Sequence, residues 1–117
     1  MTQTDFYTAL QSSHEMVITV TGRSSGRSFS YPVWFALAGD RLYLIPLRGS
    51  ETQWYKNVLK NPSVRIKAGG AVADLNVIPV TDPAQLSYII EKFRTKYGNS
   101  GVGLYSKLNV AVAAQAA

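Results

Sequence analysis

The chain has no cysteine, one histidine and only seven acidic residues against twelve Lys and Arg in 117 residues. Without thiols there is no disulfide scaffold, no zinc–thiolate or iron–sulfur site and no cysteine nucleophile. The lone His14 is too little for a histidine-built metal site and makes a Ser-His-Asp triad a poor reading. No apolar run reaches the roughly 18–20 residues that a membrane-spanning helix requires. The N-terminus carries Asp5 and lacks a basic-plus-apolar signal pattern, so the cytoplasm is the expected location. Zinc-finger, RNP-type and helix-turn-helix motifs are also missing. Basic residues interleaved with Tyr and Trp can bind nucleic acid, but nothing else points to that partner.

What is present suffices for one domain spanning residues 1–117: 46% apolar residues, with two Trp, seven Tyr and four Phe. The charge is concentrated. Residues 23–67 hold Arg23, Arg27, Arg41, Arg48, Lys56, Lys60, Arg65 and Lys67 against Asp40 and Glu51, and the rest of the chain is close to neutral. Such a segment suits an anionic partner, with a merely solvated basic surface as the alternative.

Residue periodicity predicts an antiparallel sheet with few helices. A short helix is expected over Asp5 to Ser12, with Thr4 as N-cap and Phe6, Tyr7 and Leu10 on one face. Strands follow over Met16 to Thr21 and Phe29 to Leu37, where Pro32 asks for an edge or a bulge. A hairpin turn over 38–41 leads to a strand over Leu42 to Leu47. Ser50 and Gln53 have capping-box spacing for a helix over Glu51 to Lys60, ended by Asn61-Pro62 and burying Trp54 and Val58. Val64 to Ala68 and Ala71 to Val80 read as strands about a Gly69-Gly70 turn. Asp82-Pro83 opens a helix with Leu86, Ile89, Ile90 and Phe93 on a stripe, stopping at Gly98. A glycine loop over Asn99 to Gly103, a strand over Leu104 to Ala114 and a frayed tail over 113–117 complete the chain. The expected class is α+β: a six-stranded antiparallel split β-barrel with two to three short helices.

Three segments carry chemistry. Thr21-Gly22-Arg23-Ser24-Ser25-Gly26-Arg27 offers close backbone approach, amide donors, hydroxyls and two guanidinium groups, the parts a phosphate or carboxylate site needs; an ordinary polar turn is the alternative. Leu47-Arg48-Gly49-Ser50 leads into a helix start that suits an anion or the carbonyls of a planar ring, with Trp54 as a wall or as core and Asn57 one turn beyond Gln53. Tyr97 to Lys107, with three glycines and the phenols of Tyr97 and Tyr105, is either a lid or a plain connection. His14 beside Glu15 reads as a surface or capping residue, and Asp74 as the partner of a basic side chain.

In order and spacing, Thr-Gly-Arg-x-Ser-Gly-Arg, Pro-Val-Trp-Phe, Gly-Asp-Arg-Leu-Tyr-Leu, Arg-Gly-Ser and Trp-Tyr-Lys-Asn-x-x-x-Asn-Pro-x-Val resemble the deazaflavin-dependent nitroreductase family. These flavin/deazaflavin oxidoreductases share the split β-barrel of pyridoxamine 5'-phosphate oxidase-like proteins. The resemblance implies a reductase that moves a hydride from reduced coenzyme F420 to an electron-poor acceptor such as a quinone, nitroaromatic or enone. It implies Arg23, Ser24, Ser25, Gly26 and Arg27 on the coenzyme's acidic tail, and Leu47, Arg48, Gly49, Trp54 and Asn57 about its ring. Tyr105 or Tyr97 is the candidate proton or hydrogen-bond donor. Ser24 stands where family members that use this coenzyme commonly carry Lys, and Phe29 where many carry another basic residue, so Arg27 would supply that charge. FMN in place of F420, or non-catalytic binding of an anionic amphiphile such as a fatty acid or haem, are the alternatives. Relatives of this kind often form homodimers.

Overall fold

The computed structural model describes residues 3–38 and 41–116. Among them the chain forms seven strands and three α-helices: α1 (Gln3–Gln11), β1 (Met16–Thr21), β2 (Ser28–Val33), β3 (Ala36–Ala38), β4 (Arg41–Leu44), α2 (Gln53–Lys60), β5 (Ser63–Ala68), β6 (Ala71–Val80), α3 (Pro83–Val102) and β7 (Ala111–Ala116). The side chains of Thr4 and Tyr7 and the turn residues 39–40 lie outside the described residues.

Alternation builds the sheet. Met16, Ile18 and Val20 of β1 are buried, as are Val64, Ile66 and Ala68 of β5, while the residues between them face outward. All pairings are antiparallel, in the order β2-β1-β5-β6-β7-β4-β3. The two edges of this order, β2 and β3, are consecutive in the chain and separated only by Trp34 and Phe35. Those two residues carry the chain from one edge to the other, so the sheet is a curled half-barrel closed by its own backbone. This corrects the six-strand expectation: the single strand expected over Phe29 to Leu37 is two, because it pairs with β1 before the crossing and with β4 after it. Pro32, which has no N–H to donate, sits on the edge strand β2.

The barrel interior holds Phe6, Ile18, Phe35, Leu42, Leu44, Ile66 and Val112, with α1 and α2 packed on it through Leu10, Trp54 and Val58. A second cluster joins the outer face of β3, β4 and β7 to α3 through Ile89 and Phe93. The crossing is stitched to α3. The Tyr97 hydroxyl donates to the carbonyls of His14 (2.8 Å) and Phe35 (3.0 Å) and accepts the Phe35 N–H (3.1 Å). Lys96 Nζ donates to the same Phe35 carbonyl at 3.1 Å and lies 3.4 Å from the centroid of the Phe35 ring. Partial burial there lowers its ammonium to about 8.

Four further boundaries differ from the sequence reading. The strand expected over Leu42 to Leu47 is β4 (Arg41–Leu44), because pairing with β7 ends at Leu44. Ser50 and Gln53 form no capping box: residues 49–51 make a 3-10 turn, and α2 starts at Gln53 after an N-cap Thr52 that makes no side-chain capping bond. Ser50 instead exchanges hydrogen bonds with Asn109, and Gln53 with Arg23. At Gly98 the backbone turns to φ 79°, a left-handed kink, and a further helical turn follows where a loop over Asn99 to Gly103 is expected. The last strand is Ala111–Ala116, not Leu104 to Ala114 with a frayed end. Ala111, Ala113 and Ala114 are buried between β6 and β4, whose pairing offsets the weak strand preference of alanine.

Candidate functional site

β1 and β2 are joined at one end by the loop 22–27, and at the other end β1 begins beside Trp34. A groove follows the edge strand β2 between these ends. At the loop end a hollow of about 320 Å³ is lined by Gly22, Arg23, Ser24, Ser25, Phe29 and Asn57, together with Tyr31 and Gln53. Tyr31 and Gln53 also line the adjoining cleft of about 430 Å³, so the two spaces share a wall. The cleft continues past Val33, Trp34, Arg48, Trp54 and Tyr105 to Glu15 and Leu104. At about 3.3 Å per residue, β1 sets Glu15 and the loop roughly 20 Å apart.

The loop end is built to meet negative charge. Gly22 N–H donates to Arg27 O (2.7 Å) and Gly26 N–H to Gly22 O (3.2 Å), which closes the turn, and Gly26 takes φ 70° to do so. Arg23 is held by α2: its backbone N–H and Nη1 donate to Asn57 Oδ1 (3.2 and 2.7 Å), and Nη2 donates to Gln53 Oε1 (3.0 Å). Both acceptors are neutral amides. The guanidinium is therefore oriented without being neutralised, and three of its five N–H groups remain for a ligand. Asn57 is the buried polar side chain of α2, and Arg23 is what satisfies its oxygen. Arg27 is exposed and, among the described residues, forms no ion pair. Ser24 is exposed and, among the described residues, makes no hydrogen bond, leaving an amide and a hydroxyl available.

The cleft itself is mainly apolar. Trp54, on the first turn of α2, is 5% exposed, so it is packed as much as it is a wall. Leu47 and Arg48 flank the 3-10 turn, and the Arg48 N–H is fixed on Thr52 Oγ1 at 2.9 Å. Gly49 is shaped by the chain around it. Its φ is 57°, and the position of a missing Cβ is taken by Asn109 Oδ1 and the Lys107 side chain. The chain itself fills that space and ties the segment before β7 to the turn.

The two tyrosines have different surroundings. Tyr105 lines the cleft, and burial pushes its phenol well above the ordinary value, so it is a hydrogen-bond donor at neutral pH and not a base. Tyr97 does not line the cleft. Its hydroxyl is engaged with His14 and Phe35, burial raises it to about 12, and its ring stacks on Trp34 at 4.2 Å between centroids. His14 sits edge-on to both rings, at 5.5 Å from Trp34 and 5.0 Å from Tyr97. Asp74 pairs with Arg65 on the exposed sheet face (Nε to Oδ1 2.8 Å), away from the groove.

Of the residues singled out in the sequence, the groove brings together Arg23, Ser24, Ser25, Asn57, Leu47, Arg48, Trp54 and Tyr105. Gly26, Arg27, Gly49 and Tyr97 are not among the residues that line it. Glu15, Phe29, Tyr31, Val33, Trp34, Gln53 and Leu104 also line it and carried no local signal as ligand residues.

Known structures share this architecture. An F420-H2 dependent reductase, FDR-A, superposes with a TM-score of 0.69 at 18% identity, over 87% of this chain and 94% of that one. The heme storage protein HutZ from Vibrio cholerae gives 0.73 at 14%, over 97% and 89%. A Listeria innocua protein provisionally described as a pyridoxamine 5'-phosphate oxidase gives 0.71 at 14%, over 97% and 91%. At such identities the likeness is one of fold alone, an antiparallel curled half-barrel broadly of the split-barrel kind. Among the described residues no helix is long and apolar enough to cross a membrane. The family described as an uncharacterized protein conserved in bacteria (DUF2255) matches residues 7–117, and the chain belongs to that family.

Proposed function

We propose that the groove holds coenzyme F420 and that the protein is a reductase of electron-poor acceptors such as quinones, nitroaromatics or enones. The observation that carries this reading is Arg23, a guanidinium oriented by two neutral amides at the end of an apolar cleft. A ligand that is anionic at one end and planar at the other matches that arrangement. The free amide and hydroxyl of Ser24 and the exposed Arg27 fit an acidic tail, and Leu47, Arg48, Trp54 and Trp34 fit a ring. When bound, the deazaflavin supplies the hydride. The chain's part is to fix the tail with Arg23, to exclude water with Trp34, Trp54 and Leu104, and to hold the Tyr105 proton where an acceptor gains charge. Haem fits less well. His14, the one imidazole of the chain, does not line the groove.

The direct test is anaerobic mixing of the reduced coenzyme with menadione and enzyme. Turnover shows as recovery of oxidised-coenzyme absorbance, and its absence at micromolar enzyme counts against the reading. Tyr105→Phe is expected to lower kcat about 10-fold while coenzyme affinity stays within twofold. We further propose a homodimer. Ile78 and Tyr88 expose about half of their surface (50% and 49%), and the row Ile78, Ala113, Tyr43 brings them together beside α3. Sedimentation equilibrium at micromolar concentration distinguishes dimer from monomer.

A further inference from the structure

The groove is not uniform in charge. Its loop end carries Arg23, and Arg48 follows on the side of α2. Its far end carries Glu15, which among the described residues forms no ion pair and no hydrogen bond. Glu51, the other carboxylate on the cleft, is paired with Lys56 at 3.2 Å. Around Glu15 stand aromatic rings. Trp34 and Tyr105 line the same cleft with their ring centroids 6.4 Å apart, and Tyr97 backs Trp34 in a near-parallel stack of 7°. Glu15 lies between His14, whose ring is 5.5 Å from that of Trp34 and 5.0 Å from that of Tyr97, and Met16, which pairs with Val33, the residue before Trp34. Lys96 of α3 does not line the cleft: its ammonium rests on the Phe35 ring and carbonyl and lies 5.1 Å from the Tyr97 ring centroid.

An unpaired carboxylate beside electron-rich ring faces is the combination that recognises organic cations. The carboxylate supplies the charge, and the indole and phenol faces attract a diffuse cation that sheds its water cheaply. We propose that the Glu15–Trp34–Tyr105 end of the groove is a subsite for a positively charged organic group of the quaternary ammonium or pyridinium class. A carboxylate- or sulfonate-bearing compound is disfavoured there and belongs at the Arg23 end. The subsite deepens the reductase reading, which it needs only to make the cationic molecule the electron acceptor. As a statement about binding it stands on the residues alone.

The test uses a matched pair of probes, 3-(trimethylammonio)phenol and its neutral isostere 3-tert-butylphenol. Both tryptophans of the chain, Trp34 and Trp54, line the cleft, so their emission reports occupancy without any coenzyme. Calorimetric titration supplies the affinity independently. The cation is expected to bind the wild-type protein about 10-fold more tightly than the isostere. Glu15→Gln should remove most of that preference and leave the isostere within twofold, which also shows that the variant is folded. Salt at about 0.5 M should weaken the cation selectively. Equal binding of the two probes, binding of neither, or an equal loss for both in Glu15→Gln overturns the proposal. If coenzyme F420 does not bind but the cation preference holds, the reductase reading falls and the subsite remains.

Discussion

Replacing Arg23 by alanine is expected to weaken coenzyme F420 binding about 30-fold, with Lys at the same position recovering only part of the loss. The reasoning is geometric. Nη1 and Nη2 each give one N–H, to Asn57 and Gln53, and the guanidinium, which lines the hollow at the loop, keeps three more. A charge-assisted bond to an acidic oxygen contributes about 1.5–3 kcal/mol. Lysine keeps the charge, but it lacks the planar fork that spans Asn57 and Gln53 and still has three N–H groups left over. The salt dependence separates this from a fold defect: the wild-type affinity should fall as salt rises, and that of Arg23→Ala should fall less. The change in thermal stability should be small, about 1 kcal/mol, because the Arg23 backbone N–H still reaches Asn57 Oδ1 at 3.2 Å. Calorimetry at two salt concentrations, with a melting curve for each variant, reads both quantities. A variant that binds as well as wild type removes the tail site from this loop.

The largest stability effect is expected at Gly49. Alanine there must adopt a φ of 57° and place a Cβ on Asn109 Oδ1, with Lys107 Cβ and Cγ at 3.0 Å. Either the left-handed conformation is strained or the Asn109 amide withdraws from Ser50, which loses bonds of 3.1 and 3.0 Å. Together these cost roughly 3 kcal/mol in chemical unfolding. In a double-mutant cycle with Asn109→Gly the penalty should shrink by a third or more, because the Asn109 obstruction is gone and the backbone strain and the Lys107 contact remain. If Gly49→Ala is as stable as wild type, the close approach of residues 107–109 to the turn is wrong.

Much of the sheet was legible because its signal is local. β1, β5 and β6 follow from alternation and from the Gly69-Gly70 turn, and Pro32 correctly marked an edge. The crossing at Trp34 and Phe35 was not legible. Alternation continues through it, and what changes is the strand across the gap, which no neighbouring residue encodes. Ser50 and Gln53 matched a capping pattern, but their hydrogen bonds go to Asn109 and Arg23, 59 and 30 residues away. The alanine-rich end looked like a tail because alanine has little intrinsic strand preference, and only pairing on both sides makes β7 a strand.

The site shows the same division. The loop 22–27 and the segment 47–57 announced themselves through residue types that suit anions and rings. The aromatic wall did not, since Tyr31 and Trp34 read as ordinary strand residues until the curled sheet set them opposite α2. Tyr97 and Tyr105 looked equivalent flanks of one loop. Burial and hydrogen bonding separate them: one phenol is engaged by the crossing, and the other lines the cleft.

The central claim is that this groove holds an acidic deazaflavin coenzyme. Titrating the purified protein with coenzyme F420 in low salt, with FMN in a parallel titration, tests it most directly through the emission of Trp34 and Trp54. The account predicts saturable quenching with a low-micromolar Kd for the coenzyme, weakened by salt and by Arg23→Ala, and weaker binding of FMN. No quenching by the coenzyme at tens of micromolar, or tighter binding of FMN, would contradict it.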